Sequence, residues 1–95
     1  MDSHYKNILI VSDNEMLTRR FKSWWEGKSK YHQIKTSFTR TASGKPGAGA
    51  VVDLTKTEDV ARIIHDFDLV ISLNSAQVFP GKLVSSVKCI NVHPG

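Results

Sequence analysis

Short, largely apolar runs recur along the chain and predict strands that are buried on both faces. The first run lies within residues 7–12, the second covers residues 69–73, and the third covers residues 88–92. Strands of a parallel sheet are continuously apolar in this way because helices cover both of their faces. The pattern therefore predicts a mainly parallel sheet.

Between these runs the apolar residues recur at the three- and four-residue spacing of amphipathic helices. The first helix is predicted to begin after Asp13 or Asn14, either of which can serve as its N-cap, and to end at Gly27. A second helix is predicted at about residues 58–66, with Thr57 as its N-cap. Alternating strands and helices predict an α/β fold: a partial, Rossmann-like, doubly wound sheet of about four mainly parallel strands with flanking helices.

The other segments are predicted to connect or extend these elements. Residues 31–40 contain several β-branched side chains and indicate a second strand, while residues 50–54 form a short extended segment, a candidate edge strand. A short helical turn is predicted at residues 81–86. Residues 41–50 form a loop rich in Gly and Pro, and Pro46 stands where a phosphate-binding loop would carry Ser or Thr.

Composition narrows the classes of partner. Ninety-five residues, 40% of them apolar, suit one small domain. Residues 19–35 mix basic and aromatic side chains, but a solvated helix face over core aromatics is favoured over nucleic-acid binding. The single cysteine, Cys89, excludes an intramolecular disulfide and is predicted to be a buried core residue. No apolar run approaches the roughly 18 residues of a membrane span, and no signal-peptide layout is present, so we expect a cytoplasmic protein without a membrane partner.

Three polar stretches follow the predicted strands: residues 12–14, 74–77 and 91–95. Ligands of doubly wound sheets bind beyond the carboxyl ends of the strands, so these stretches predict a ligand site. Asn91 and His93 lie two residues apart on a strand end, and both side chains therefore point to the same face and can reach one ligand. No metal site is predicted.

One interpretation of this edge is regulatory, because residues 8–14 and 68–74 resemble parts of a phosphate-receiver domain. That chemistry needs a carboxylate nucleophile at the end of the later strand, beside acids that hold a magnesium ion. Ser72, Leu73 or Asn74 occupies the nucleophile position instead. A degenerate receiver is therefore the less favoured alternative.

Four segments carry a more specific resemblance: residues 6–14, 67–73, 77–84 and 89–95. Together they resemble the folate-dependent formyltransferases, in particular the bacterial sugar N-formyltransferases that act on dTDP-linked 4-amino-4,6-dideoxyhexoses. The resemblance spans nearly the whole chain and is most specific from residue 68 onward. It implies that the chain is a formyltransferase N-terminal domain, residues 1–95, truncated after the Asn-x-His-Pro-Gly motif.

The resemblance implies formyl transfer from 10-formyltetrahydrofolate to the amine of a nucleotide-linked 4-amino-4,6-dideoxyhexose. Asn91 would donate its amide N–H to the oxygen that becomes negative, and His93 would accept the amine proton. The residues implied for folate binding wrap the pterin: Asn74, Ser75, Gln77, Val78, Phe79 and Pro80. A turn implied to face the sugar substrate comprises Ser12, Asp13 and Asn14.

The chain also departs from the family pattern. Family members carry a catalytic aspartate downstream of the His-Pro-Gly turn, and no acid of this chain takes that role. Ala76 stands where near relatives often carry a lysine. These departures predict little or no turnover for the 95-residue chain. A non-catalytic folate- or nucleotide-binding fragment stays open as an alternative, and so does a homodimer formed through the exposed last strand.

Overall fold

A computed structural model of the chain describes residues 5–27, 34–44 and 49–92. Its elements in chain order are β1 (Asn7–Ser12), α1 (Glu15–Glu26), β2 (Lys35–Thr41), β3 (Val51–Val52), α2 (Thr57–Asp66), β4 (Leu69–Leu73), α3 (Gly81–Ser86) and β5 (Lys88–Val92). Within these ranges the strands form one five-stranded parallel sheet in the order β3-β2-β1-β4-β5. The predicted α/β, Rossmann-like class is confirmed, and the additional strand is the two-residue β3.

The strand order creates a switch point between β1 and β4. From β1 the chain passes to β2 and β3 on one side, and then returns to place β4 and β5 on the other side. Ser12 at the end of β1 pairs with Leu73 at the end of β4. The two loops that leave these strands therefore start side by side, which is where doubly wound sheets bind ligands.

Alternate residues of β1 pack on opposite faces of the sheet. Leu9 and Val11 belong to the core that α2 and α3 cover, whereas Ile8 and Ile10 belong to the core beneath α1. All four are buried, and Ile10 and Val11 are completely so. Burial on both faces explains why this strand is apolar without interruption.

The ends of the helices follow the predicted signals in α1 and depart from them in α2. Asn14 is the N-cap of α1, with its side-chain oxygen accepting a hydrogen bond from the N–H of Leu17 at 3.1 Å, and Gly27 is the C-cap. The prediction of Thr57 as the N-cap of α2 is wrong, because Thr57 is already helical and Lys56 is the N-cap. Lys56 is extended, so the helix begins one residue earlier than the hydroxyl suggested.

The second strand differs in its bounds from the prediction, and the last strand is partly uncovered. β2 begins at Lys35 and runs one residue beyond the predicted end, to Thr41, and residues 31–33 lie outside the described ranges. On β5, Ile90 and Val92 pair with residues of β4 whose side chains face α1, yet they remain 41% and 43% exposed. The part of the sheet under β5 is thus uncovered on the α1 side.

Candidate functional site

Two of the three predicted polar stretches meet at the switch point. The turn at residues 12–14 follows β1, and the loop at residues 74–80 follows β4. We call it the folate loop after the role that the family resemblance implies for it. The N–H of Asp13 donates to the carbonyl oxygen of Asn74 at 3.4 Å, which joins the two segments directly. The structure therefore brings together two of the stretches that the sequence predicted to form a ligand site.

Ser12 and Asn14 build the turn between β1 and α1. The Ser12 hydroxyl donates to the carbonyl oxygen of Asn14 at 3.1 Å and accepts from its N–H at 3.3 Å. Ser12 is 3% exposed, and the Asn14 side chain caps α1. Each side chain therefore has a defined internal partner, and a substrate contact from either stays a prediction.

Asp13 makes hydrogen bonds to two other segments at this edge. Its carboxylate accepts from the N–H of Thr41 at 2.9 Å, from the Thr41 hydroxyl at 2.8 Å and from the N–H of Ala76 at 2.5 Å. Gly44 lies so close that a Cβ atom at that position would overlap the carboxylate. Asp13 thus connects the carboxyl ends of β1 and β2 with the folate loop, a connection that no sequence signal indicated.

The beginning of the folate loop is held by its own short contacts. Asn74 is in the left-handed region, with φ of 60°, which Asn tolerates better than most residues. The Ser75 hydroxyl donates to the carbonyl oxygen of Gln77 at 2.7 Å and accepts from its N–H at 3.2 Å. The N–H of Ser75 donates to the Ser72 hydroxyl at 3.4 Å. These bonds give residues 74–77 a compact turn.

Gln77 is buried and ties the folate loop to two others. Its side-chain oxygen accepts from the N–H of Leu54 at 2.6 Å, and its amide nitrogen donates to the Ser43 hydroxyl at 3.0 Å and to the Asp53 carboxylate at 3.1 Å. Hydrogen bonds from Thr55, and then from Gln77, hold the pKa of Asp53 below its usual value. A lowered folded-state pKa stabilises the fold at neutral pH, and this contribution is lost as the pH falls through that pKa.

Two residues in the second half of the loop differ in burial. Val78 is 90% exposed, while Phe79 packs against the core beneath α2 and α3. The carbonyl oxygen of Pro80 accepts the first hydrogen bonds of α3, from Leu83 and Val84. Among the described residues, no backbone hydrogen bond is made by Val78 or Phe79.

The predicted catalytic strand end lies beside this loop. Asn91 is exposed and pairs with Ser72 in the sheet, so it sits one strand away from the start of the folate loop. Alternation puts Asn91 on the same face as Cys89, which packs against the core beneath α2 and α3. Cys89 is partly buried rather than fully buried as predicted, and this burial raises the pKa of its thiol. His93 lies outside the described residues.

An apolar groove of about 360 Å³ opens on the α1 side, and the sequence did not indicate it. Its lining comprises Leu17, Arg20, Phe21, Trp24, Leu73 and Val92.

Among the described residues, no three His, Cys, Asp or Glu side chains come together to hold a metal ion. In the same part of the chain, no helix has the length and apolar character needed to cross a membrane.

The fold matches solved sugar N-formyltransferases. A sugar N-formyltransferase from Shewanella sp. FDAARGOS_354 superposes over 95% of this chain with a TM-score of 0.86 and 31% identity, and a 4-N formyltransferase from Francisella tularensis does so with a TM-score of 0.75 and 30% identity. By fold and sequence, the chain is similar to the sugar N-formyltransferases. The predicted resemblance to these formyltransferases is confirmed.

A curated sugar N-formyltransferase gives a local match of higher identity. The dTDP-4-amino-4,6-dideoxyglucose formyltransferase of Mycobacterium tuberculosis is 50% identical over 38 residues, which cover 40% of this chain and 16% of that protein. The chain spans 39% of the length of the Shewanella formyltransferase and 38% of that of the Francisella formyltransferase. No protein-family model matches the chain.

Proposed function

We propose that the chain is a formyltransferase N-terminal domain, which contributes the formyl-donor site and two catalytic groups to a cytoplasmic sugar N-formyltransferase. The donor is 10-formyltetrahydrofolate, and the acceptor is the amine of a nucleotide-linked 4-amino-4,6-dideoxyhexose. The fold similarity to the Shewanella formyltransferase, at a TM-score of 0.86, carries the proposal. The convergence of the folate loop and Asn91 at one edge of the sheet supports it.

The folate loop is the proposed donor site. Asn74, Ser75, Gln77 and Pro80 shape the loop, and the backbone of Val78 and Phe79 supplies donors and acceptors for the pterin ring. The exposed Val78 side chain, 90% accessible, can also cover one face of a flat ring. The turn formed by Ser12, Asp13 and Asn14 lies at the same edge and is the proposed approach for the sugar.

Asn91 of β5 and His93 perform the proposed chemistry. When bound, 10-formyltetrahydrofolate supplies an electrophilic formyl group. Asn91 donates its amide N–H to the formyl oxygen, where negative charge develops as the sugar amine attacks. His93 accepts the proton that the amine loses and passes it to the folate nitrogen as the bond between that nitrogen and the formyl carbon breaks and tetrahydrofolate leaves. The resemblance implies an aspartate that orients the imidazole, and no acid of this chain takes that role. We therefore expect the 95-residue chain alone to have little turnover.

The proposal is tested by titrating the 95-residue chain with 5-formyltetrahydrofolate, a stable relative of the donor, and measuring the heat of binding. Saturable binding of one molecule per chain supports a donor site. An absence of binding at millimolar ligand contradicts the proposed donor site. Binding with no formyl transfer by a version extended to full enzyme length would favour the alternative, a non-catalytic folate-binding fragment.

Self-association is the proposed behaviour of the isolated chain, because Ile90 and Val92 are exposed on an edge strand. We expect sedimentation velocity to show dimers that increase with protein concentration. Ile90→Lys should shift the chain toward monomer, because a charge disfavours pairing at an open edge. Val84→Lys is the matched control, since Val84 is 54% exposed but lies on α3. Equal effects of the two variants would count against pairing through β5.

A further inference from the structure

The carboxylate of Asp13 clamps the folate loop to the sheet. We propose that Asp13 is a positioning residue for formyl-donor binding, which holds the folate loop through the N–H of Ala76. The inference rests on the proposed function, because it takes residues 74–80 as the donor site. Its structural part, the clamp itself, can be tested separately.

The clamp attaches the loop to β1 at two points. The Asp13 carboxylate accepts from the N–H of Ala76 at 2.5 Å, and the Asp13 N–H donates to the carbonyl oxygen of Asn74 at 3.4 Å. A short hydrogen bond to an ionised carboxylate is about twice as strong as a neutral one. Asn74, between β4 and this bond, is in the left-handed region, so the loop leaves β4 by a turn that the clamp stabilises.

The other contacts of Asp13 show which side of the clamp is fixed. Thr41, at the end of β2, donates both its N–H and its hydroxyl to the carboxylate. Gly44 lies against the carboxylate, and any side chain at that position would overlap Asp13. The carboxylate is therefore anchored by the sheet, and the loop is the element that it positions.

The clamp lies close to the part of the loop that is proposed to bind the pterin. Ala76 lies two residues before Val78, whose backbone is proposed to contact the pterin. Gln77 attaches the loop to Leu54 and Ser43 through its side chain. With both attachments in place the loop is held from β1 and from the β3–α2 connection. Without the Asp13 carboxylate the loop loses its attachment at Ala76, two residues before Val78.

The test uses Asp13→Asn in the 95-residue chain. An amide offers one oxygen, and its NH₂ group must face one of the three former donors. We expect the Ala76 amide proton, resolved by NMR, to lose its downfield shift and its protection from exchange. We expect the affinity for 5-formyltetrahydrofolate to fall by about 10- to 100-fold, the range for one hydrogen bond to a charged group.

Asp68→Asn is the matched control for general destabilisation. Asp68 also accepts two backbone N–H groups, from Lys6 at 2.9 Å and from Asn7 at 3.1 Å, but at the opposite edge of the sheet. We expect it to lower the melting temperature and to leave folate affinity within about twofold. Equal losses of affinity in the two variants would show that Asp13 acts only through stability and would overturn the inference.

The remaining outcomes separate the inference from the function. Wild-type affinity in Asp13→Asn overturns the positioning role. If the wild-type chain fails to bind, the donor site is wrong and the positioning role falls with it, while an Ala76 amide that responds to Asp13→Asn still confirms the clamp. Should Asp13→Asn not fold, Thr41→Val removes only the hydroxyl donor and is expected to weaken binding by about 3- to 10-fold. Unchanged affinity in that variant contradicts the inference.

Discussion

Replacing Asn91 with alanine is expected to lower kcat by about 100- to 1000-fold, the usual effect of removing one oxyanion donor. The measurement needs an active enzyme, so it is made in a version of the chain continued past Gly95 with the corresponding segment of the Shewanella formyltransferase. Formyl transfer to a dTDP-linked 4-amino-4,6-dideoxyhexose is followed at saturating donor. Because Asn91 acts on charge that develops only during attack, KM for the donor should change little.

His93→Ala in the same extended enzyme separates the two proposed roles. The loss should be of similar size, about 100- to 10,000-fold for a general base, and kcat should lose the part of its pH dependence that comes from the general base. Lys88→Ala, at the opposite end of β5, is the control and should retain wild-type kcat. Full turnover in His93→Ala would show that another group accepts the proton, and a raised KM with unchanged kcat in Asn91→Ala would make Asn91 a binding residue.

The sequence predicted best those elements whose burial is set by the sheet. β1 and β4 are apolar because helices or neighbouring strands cover both of their faces, and α1 begins at Asn14 because its side chain satisfies the N–H of Leu17. β3 was only an extended segment in the sequence, since two residues carry no periodicity. The strands and helices that were predicted best are those whose signals come from residues close together in the sequence.

The roles of Asp13 and Gln77 could not be predicted, because their partners are distant along the chain. Asp13 meets Thr41 and Ala76, which are 28 and 63 residues away, and Gln77 meets Leu54, which is 23 residues away. Only the strand order brings these loops to one edge. The sequence identified them as polar residues at a ligand edge, but it could not distinguish a side chain that contacts a ligand from one that holds a loop.

Replacing Gln77 with leucine is expected to lower the free energy of unfolding by about 2 to 4 kcal/mol. Leucine has a similar volume but makes none of the three side-chain hydrogen bonds, and the N–H of Leu54, 3% exposed, would then lack its acceptor. Urea unfolding at pH 7 measures the change. Ser85→Ala, on the exposed surface of α3, is the control and should stay within about 0.5 kcal/mol. A loss below about 1 kcal/mol would show that the bonds contribute little.

Gln77→Glu tests the same site through its charge. The carboxylate keeps an acceptor for Leu54 but replaces the amide that donates to Asp53 at 3.1 Å, so two carboxylates would face each other. Asp53 has a lowered pKa and is ionised at neutral pH, so the pKa of the introduced glutamate must rise. Gln77→Glu should therefore be least stable relative to wild type at pH 7, and the difference should narrow as the pH falls and Glu at this position takes up a proton that it can donate to Asp53. A difference that stays constant from pH 7 to pH 4 would mean that the amide nitrogen of Gln77 contributes nothing through Asp53.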